Sequence, residues 1–427
     1  MTYAEAVAYL DSCVPFGIKP GLERIKALLQ AMDNPETAYK TIHITGTNGK
    51  GSVTALVDSV LTYSGRRVGR FTSPHLISYT ERICVNGRSI TEAAFGELIA
   101  NVAKVVTKLV DEGLEPPTQF EVLTAAAFLF FREQGVDYAV IEVGLGGLLD
   151  STNVVVPEVS VITNVTIDHQ AYCGNTVEEI ATHKAGIIKP KVPVVTAAQS
   201  SALEVIRTKA KELKSPIFVF NEDFSIKSRS AMPEGQMITL EDTAGHKDML
   251  FTTLAGVHQA VNLACATAAL RVLMKKDKSI SEETLREGLA RAKWAGRFEI
   301  VKRLDRIFIF DGAHNANGAE AFQLTYKELF KDTPKTMVLA VLADKEVQAV
   351  VDELVAPKDT VIAVPAPTPR SCTPEELASY ISSAVTTASS VTAGLDQAMK
   401  TTKSGDIIVV AGSLYILGEA EQWLAAQ

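Results

Sequence analysis

The sequence predicts an α/β protein built on doubly wound, mostly parallel sheets, and three observations predict it. Short β-branched runs alternate with stretches of helical period along most of the chain. One of these runs, residues 41–45, ends in a glycine-rich turn that opens directly into a helical pattern. The alternation pauses near residues 294–297 and then restarts, which divides the chain into a first part, 1–295, and a smaller second part, 296–427.

The elements follow in order. Residues 4–10 and 22–29 carry apolar side chains at helical spacing. Strand 41–45 leads through the turn to a helix over 53–61. A strand over 67–71, a buried helix over 120–131 and buried strands over 138–143 and 159–163 come next. A helix over 177–185 and a strand over 192–197 complete the pattern. Residues 218–251 differ: they are polar, with Pro, Gly and short alternating runs, and read as an antiparallel excursion at the sheet edge. An Ala-rich helix covers 257–273. In the second part the strands are 307–311, 336–343, 361–364 and 406–411. The helices are 316–330, 347–354, 374–384 and a terminal one, together about the size of a small Rossmann-like domain.

Composition narrows the function classes. Hydrophobic residues make up 47% of the 427 and charged residues 22%, so a large core needs no disulfide or metal staple. The net charge of -8 argues against a nucleic-acid partner, because phosphate backbones are held by basic faces. The five cysteines are scattered, with no Cys-x-x-Cys, as expected of reduced thiols in a cytoplasmic protein. The N-terminus has no basic start and no long apolar run, so no signal peptide is expected. Residues 122–131 are too few to span a bilayer.

The turn after residue 45 carries the clearest chemistry. Gly46, Thr47, Asn48, Gly49, Lys50, Gly51 and Ser52 stand between strand and helix. Glycines let backbone N–H groups wrap an anion, and the helix N-terminus adds its dipole. Lys50 adds a point charge, and the Ser52 hydroxyl can reach a magnesium ion. Two residues separate Gly46 from Gly49, fewer than in the usual phosphate loop. The alternative is a plain Gly-rich turn with an exposed Lys. The stretch before this loop is too short for a separate sugar-nucleotide domain. Glu142 ends a buried run before another Gly turn, where parallel sheets bind ligands.

At these residues the chain resembles the Mur ligase superfamily and, within it, the folylpolyglutamate synthase and dihydrofolate synthase family. The shortened loop carries the resemblance first. It continues with Ser73, Pro74, His75 and Leu76, Glu81 through Ile83 and Val85 through Gly87; Gln119, Phe120 and Glu121; Glu142 through Gly147; Asp150 through Asn153; and Thr163 and Asn164 with Asp168 and His169. Lys184 through Lys189, Gly296 through Glu299, Asp311 through Asn315, and Gly412 through Tyr415 complete it, in family order.

The resemblance implies a P-loop-type ATP domain, a smaller Rossmann-like domain and a cleft between them. It also implies a two-step reaction, in which ATP converts a carboxylate to an acyl phosphate and the amine of L-glutamate then forms an amide. Ser52, Ser73, Glu142 and His169 would surround two magnesium ions. Lys184 would be carbamylated, turning an ammonium into a carboxylate ligand. Asn262 would touch adenine, and Arg297 and Asp311 phosphate and ribose, with Arg297 at the hinge. Phe120, Glu121, Leu149, Asp150 and Ser151 would hold dihydropteroate or a reduced folate, and His314 and Ser413 the incoming glutamate. The catalytic set would be Lys50, Lys184, His169 and Arg297. A cytoplasmic monomer is implied, acting on small molecules, with no nucleic acid and no membrane. Leu148 departs from the family, which has Arg there.

Taken singly, several of these residues have plainer readings. Ser73 before Pro74 opens a turn, Phe120 packs in a core, and Asn262 is an ordinary helix residue. Two other functions stay open: a Mur-type ligase acting on a UDP-linked peptide, and a nucleotide-binding regulator without catalysis.

Overall fold

The computed structural model describes residues 1–14, 17, 19–168 and 170–427. Two compact units result. The first holds residues 1–227, 239–250 and 261–292; the second holds 228–238, 251–260 and 293–427.

The first unit is organised by an eight-stranded sheet. Its strands are β1 (Lys40–Thr45), β2 (Val68–Phe71), β3 (Ile83–Val85), β4 (Arg88–Ser89), β5 (Tyr138–Glu142), β6 (Val159–Ile162), β7 (Val194–Thr196) and β8 (Ile217–Val219). They lie in the order β4-β3-β2-β5-β1-β6-β7-β8. Only β3 and β4 run antiparallel to their neighbours, at one edge; all other pairs are parallel. Central strands of such a sheet are covered on both faces, which is why β1 and β5 are buried almost throughout.

One layer comprises helices Tyr3–Ser12, Glu23–Ala31, Glu92–Asp111 and Gln119–Glu133, packed around Phe71, Phe95, Phe128 and Phe131. Another cluster unites Val143, Ile162 and Val194 with helices Val177–Ala185 and Ser200–Glu212. The two long helices over 92–111 and 200–212 were not anticipated from the sequence. Both are amphipathic, buried along one side only, so neither forms the continuous apolar run that betrays the fully buried helix at 119–133.

Residues 218–251 form strands β9 (Phe224–Met232), β10 (Gly235–Asp242) and β11 (Lys247–Thr252). These make a separate three-stranded sheet in the order β11-β10-β9, not an extension of the larger one. Short turns join them, as antiparallel hairpins require. Helix Val257–Met274 is long and apolar enough to cross a membrane by composition, yet 67% of it is buried within the protein.

The second unit carries a six-stranded sheet of β12 (Glu299–Arg303), β13 (Arg306–Phe310), β14 (Lys335–Leu339), β15 (Thr360–Ala363), β16 (Ala384–Thr387) and β17 (Ile407–Ala411). The order is β12-β13-β17-β14-β15-β16, parallel except for β12. Helix Ala316–Phe330 matches its sequence pattern. The helix expected over 374–384 stops at Ser379. Its last residues turn into the edge strand β16, whose side chains are mostly exposed and whose Val and Thr favour extended backbone.

Candidate active site

Four adjacent parallel strands of the first unit end together and deliver the candidate residues to one edge. In the spatial order β2, β5, β1, β6 the register aligns Phe71 with Ile141, Ile44 with Glu142 and Thr45 with Ile162. The segment after β2 therefore brings Ser73, β5 ends in Glu142, the segment after β1 is the Gly-rich loop, and the segment after β6 brings Asn164 and Asp168. Ligands bind outside the carboxyl ends of parallel strands for this reason. Glu142 is 4% exposed, and its Oε2 accepts the backbone N–H of Ser73 at 3.2 Å.

The loop is shaped by its neighbours. Thr47 N donates to Asn164 O at 2.9 Å, and Asn48 N donates to Asn164 Oδ1 at 2.8 Å. Thr163 Oγ1 donates to Asn48 O at 2.6 Å, and Thr47 and Thr166 exchange a pair of bonds. Thr163, Asn164 and Thr166 thus strap the loop from β6. Thr163 and Asn164 belong to the motifs that carry the family resemblance, whereas Thr166 had no signal beyond its nearness to a strand end. Gly49 has φ 85° and caps helix Lys50–Tyr63. A side chain there would collide with the Asn262 amide, so the glycine lets Asn262 come against the loop. Lys50 Nζ curls back onto Gly46 O and Thr47 O, each at 3.0 Å, and Ser52 lies buried in the first helical turn.

Lys184 ends helix Val177–Ala185 and is 4% exposed. Burial, then the nearby charge of Lys50, pulls its ammonium down to about 7. Asp168 and Cys173 act in the opposite direction. No carboxylate pairs with the Lys184 amine among the described residues. His169, placed by the sequence beside Asp168, lies outside the described residues.

The acid-side candidates cluster around helix Gln119–Glu133. Phe120 is half-buried and stacks on Phe71, ring centroids 5.8 Å apart. Glu121 completes a capping box with Thr118, and its Oε2 also accepts from Arg24 Nε at 3.1 Å. Asp150 is turned inward: Leu145 N donates to Oδ2, while Thr152 N and Thr152 Oγ1 donate to Oδ1. Burial raises the pKa of this carboxyl against those bonds. Ser151 Oγ lies 3.0 Å from Thr124 Oγ1, buried. Leu148 and Leu149 are 40% and 41% exposed. The main chain of Leu148 is fixed, N–H to His183 O and C=O to the Asn153 amide.

The second unit repeats the arrangement at its own strand ends. Asp311 follows β13 and Ser413 follows β17, and these strands are parallel neighbours with Phe310 opposite Val410. Asp311 accepts from Phe298 N at 2.7 Å and Ala313 N at 2.8 Å. Burial pushes it up to about 6 against the pull of the Arg297 guanidinium. His314 Nδ1 lies 2.8 Å from Gly312 O. Ser413 is buried, and its side chain caps the turn 414–416.

Comparison with known proteins gives a consistent answer. The family Mur ligase middle domain matches residues 44–270, and the family Mur ligase, glutamate ligase domain, matches residues 296–414. The dihydrofolate synthase/folylpolyglutamate synthase of Bacillus subtilis (strain 168) is 36% identical over 429 residues, covering 99% of this chain and 99% of that one. Folylpolyglutamate synthase of Mycobacterium tuberculosis, solved with ADP and AMPPCP, superposes with a TM-score of 0.90 at 30% identity, covering 99% of each chain. An FPGS–AMPPCP–folate complex gives 0.85 at 35% identity, again covering 99% of each.

Proposed function

The chain belongs to the Mur ligase family, among its dihydrofolate synthases and folylpolyglutamate synthases, and from that premise we propose how its residues carry the reaction. It is an ATP-dependent ligase that joins L-glutamate to a pteroate- or folate-type carboxylate. The observation that carries the residue assignment is the convergence of the Lys50 loop, Ser73 and Glu142 at the ends of adjacent parallel strands.

The acid carboxylate attacks the terminal phosphorus of ATP; ADP leaves and an acyl phosphate remains. The amine of glutamate then attacks the acyl carbon, inorganic phosphate departs and the amine loses a proton. Two anions must meet in the first step, so positioned positive charge dominates catalysis. Loop N–H groups from Gly46 to Ser52 and the Lys50 ammonium hold the phosphates, with Asn262 at the base. Arg297 and Asp311 supply contacts to phosphate and ribose.

Magnesium fits the donors present. Ser52 and Ser73 hydroxyls and the Glu142 carboxylate are oxygen ligands of the kind it prefers, and His169 is proposed as a fourth. Held there, two such ions would supply charge neutralisation for the phosphate oxygens. Lys184 suits carbamylation because a neutral amine is the form that adds carbon dioxide, giving a carbamate and a proton. Its buried amine, with a pKa near 7, is supplied in that form.

Phe120 and Leu149 offer apolar surface to the pterin ring, with Glu121, Asp150 and Ser151 at its edge. His314 and Ser413 receive glutamate, so residues 1–295 form the ATP-binding domain and 296–427 the glutamate-ligase domain, which adds the Arg297 and Asp311 contacts to ATP. We further propose a cytoplasmic monomer working on free small molecules, using both dihydropteroate and reduced folylmonoglutamate and acting on neither nucleic acid nor membrane. The net charge of -8 supports the absence of a nucleic-acid partner, and five buried, unpaired cysteines support a cytoplasmic setting. The test is ADP release with each pterin acid, with and without glutamate. Release that requires both acid and amino acid is expected, and release indifferent to them would reject the reading.

A further inference from the structure

His43 lies at the centre of β1 and is completely buried. Its Nε2 is 2.8 Å from Thr152 Oγ1. The Thr152 hydroxyl gives its own proton to Asp150 Oδ1 at 2.5 Å. It can therefore only accept from the imidazole, which fixes the proton of His43 on Nε2. Nδ1 is then an acceptor, and it is buried with no partner among the described residues. An orphaned ring nitrogen costs stability that an apolar side chain would not lose. Burial, then Lys189, holds the ring down at about 3, so it stays neutral.

What the histidine holds is the turn after Glu142. Asp150, fixed on one oxygen by Thr152, accepts from Leu145 N on the other at 2.8 Å. Thr45, on the same face of β1, donates to Gly146 O at 2.6 Å. The turn is pressed against the Phe120 ring: a Cβ at Gly144 would lie 2.5 Å from ring carbons of Phe120 and 3.1 Å from Asp150 Oδ2. Asp150 joins the relay from β1 to the place where that ring rests.

We propose that His43 is a positioning residue for the acid substrate: acting through Thr152 and Asp150, it fixes the Gly144–Leu145 turn against Phe120. The inference rests on the reading of Phe120 and this turn as the pterin side of the site. His43 itself touches no substrate.

The experiment measures KM for dihydropteroate, KM for ATP and the melting temperature of the full chain in four variants. His43→Leu and Thr152→Val each raise KM for dihydropteroate about tenfold while KM for ATP stays within about twofold. The double variant is no worse than either single one, since both cut the same relay. His43→Gln, whose amide N–H stands where Nε2–H stood, restores KM to within about threefold of the parent. An unchanged KM for dihydropteroate in His43→Leu, or an equal rise in both KM values, overturns the proposal. Should His43→Leu not fold, Thr152→Val carries the same test. Phe120→Ala separates the two levels. If it leaves KM for dihydropteroate unchanged, the substrate reading fails and the relay falls with it. If it raises KM while His43→Leu does not, only the relay fails.

Discussion

Glu142 and Ser73 are joined directly: the carboxylate that ends β5 accepts the backbone N–H of the residue that follows β2, at 3.2 Å. The residue proposed as a second oxygen donor is thereby held beside Glu142, at the end of two paired strands.

Replacing the acid should therefore disturb both proposed magnesium donors. Glu142→Ala is expected to lower kcat by roughly 100-fold or more, the scale seen when one preorganised electrostatic contact is deleted. The ATP analogue should still bind through the loop. Titration of activity with magnesium checks the cause, because the variant should need far more metal.

Lys50→Ala should abolish product formation with dihydropteroate and with reduced folylmonoglutamate alike. In the proposed reading both reactions draw on the one loop whose backbone Lys50 folds against. A variant that keeps either activity would show that the two do not share an ATP site.

Lys184 should carry a carboxyl group when carbon dioxide is present. Carbon-isotope-labelled bicarbonate should give a carbamate resonance in the parent protein and none in Lys184→Ala. Modification should weaken as pH falls below about 7, where the amine becomes an ammonium. A labelled spectrum without that resonance contradicts the assignment.

The histidine in β1 makes a pH prediction. Its folded value is depressed to about 3 from an ordinary 6.5, so between these limits the unfolded chain binds the proton and the folded chain does not. Stability should fall as pH drops from about 6.5 toward 3. His43→Gln should flatten that limb in urea titrations at stepped pH.

Lys335 and Asp359 form a fully buried pair, 2.5 Å apart and 1% and 2% exposed. The carboxylate also accepts from Lys335 N and Ala356 N. Asp359→Ala strands a buried ammonium and should cost about 3–5 kcal/mol of stability. Urea unfolding reads the loss directly.

The strand–helix alternation could be read from the sequence because central parallel strands are buried on both faces, leaving unbroken apolar runs such as Tyr138–Glu142. The helices missed, Glu92–Asp111 above all, mix polar and apolar residues and declare themselves only by periodicity. Site residues followed the same logic. Lys50 and Glu142 could be picked out because a strand end or a Gly-rich turn precedes or follows them. Asp150 could be picked out in the same way, but not the bonds by which Thr152 and Leu145 engage its oxygens. The strap of Thr163, Asn164 and Thr166, and the link from His43 to Thr152, join residues more than one hundred positions apart. No local pattern encodes such pairings; the strap exists only once β1 and β6 lie side by side, and the histidine link only once turn 151–154 folds against β1.

In the proposed reaction the acid carboxylate itself takes up the terminal phosphoryl group. Dihydropteroate labelled with a heavy oxygen isotope in both carboxylate positions tests this in one turnover. One labelled oxygen should appear in the inorganic phosphate released, with the other kept in the amide. Phosphate free of label, recovered alongside amide product, would contradict the account.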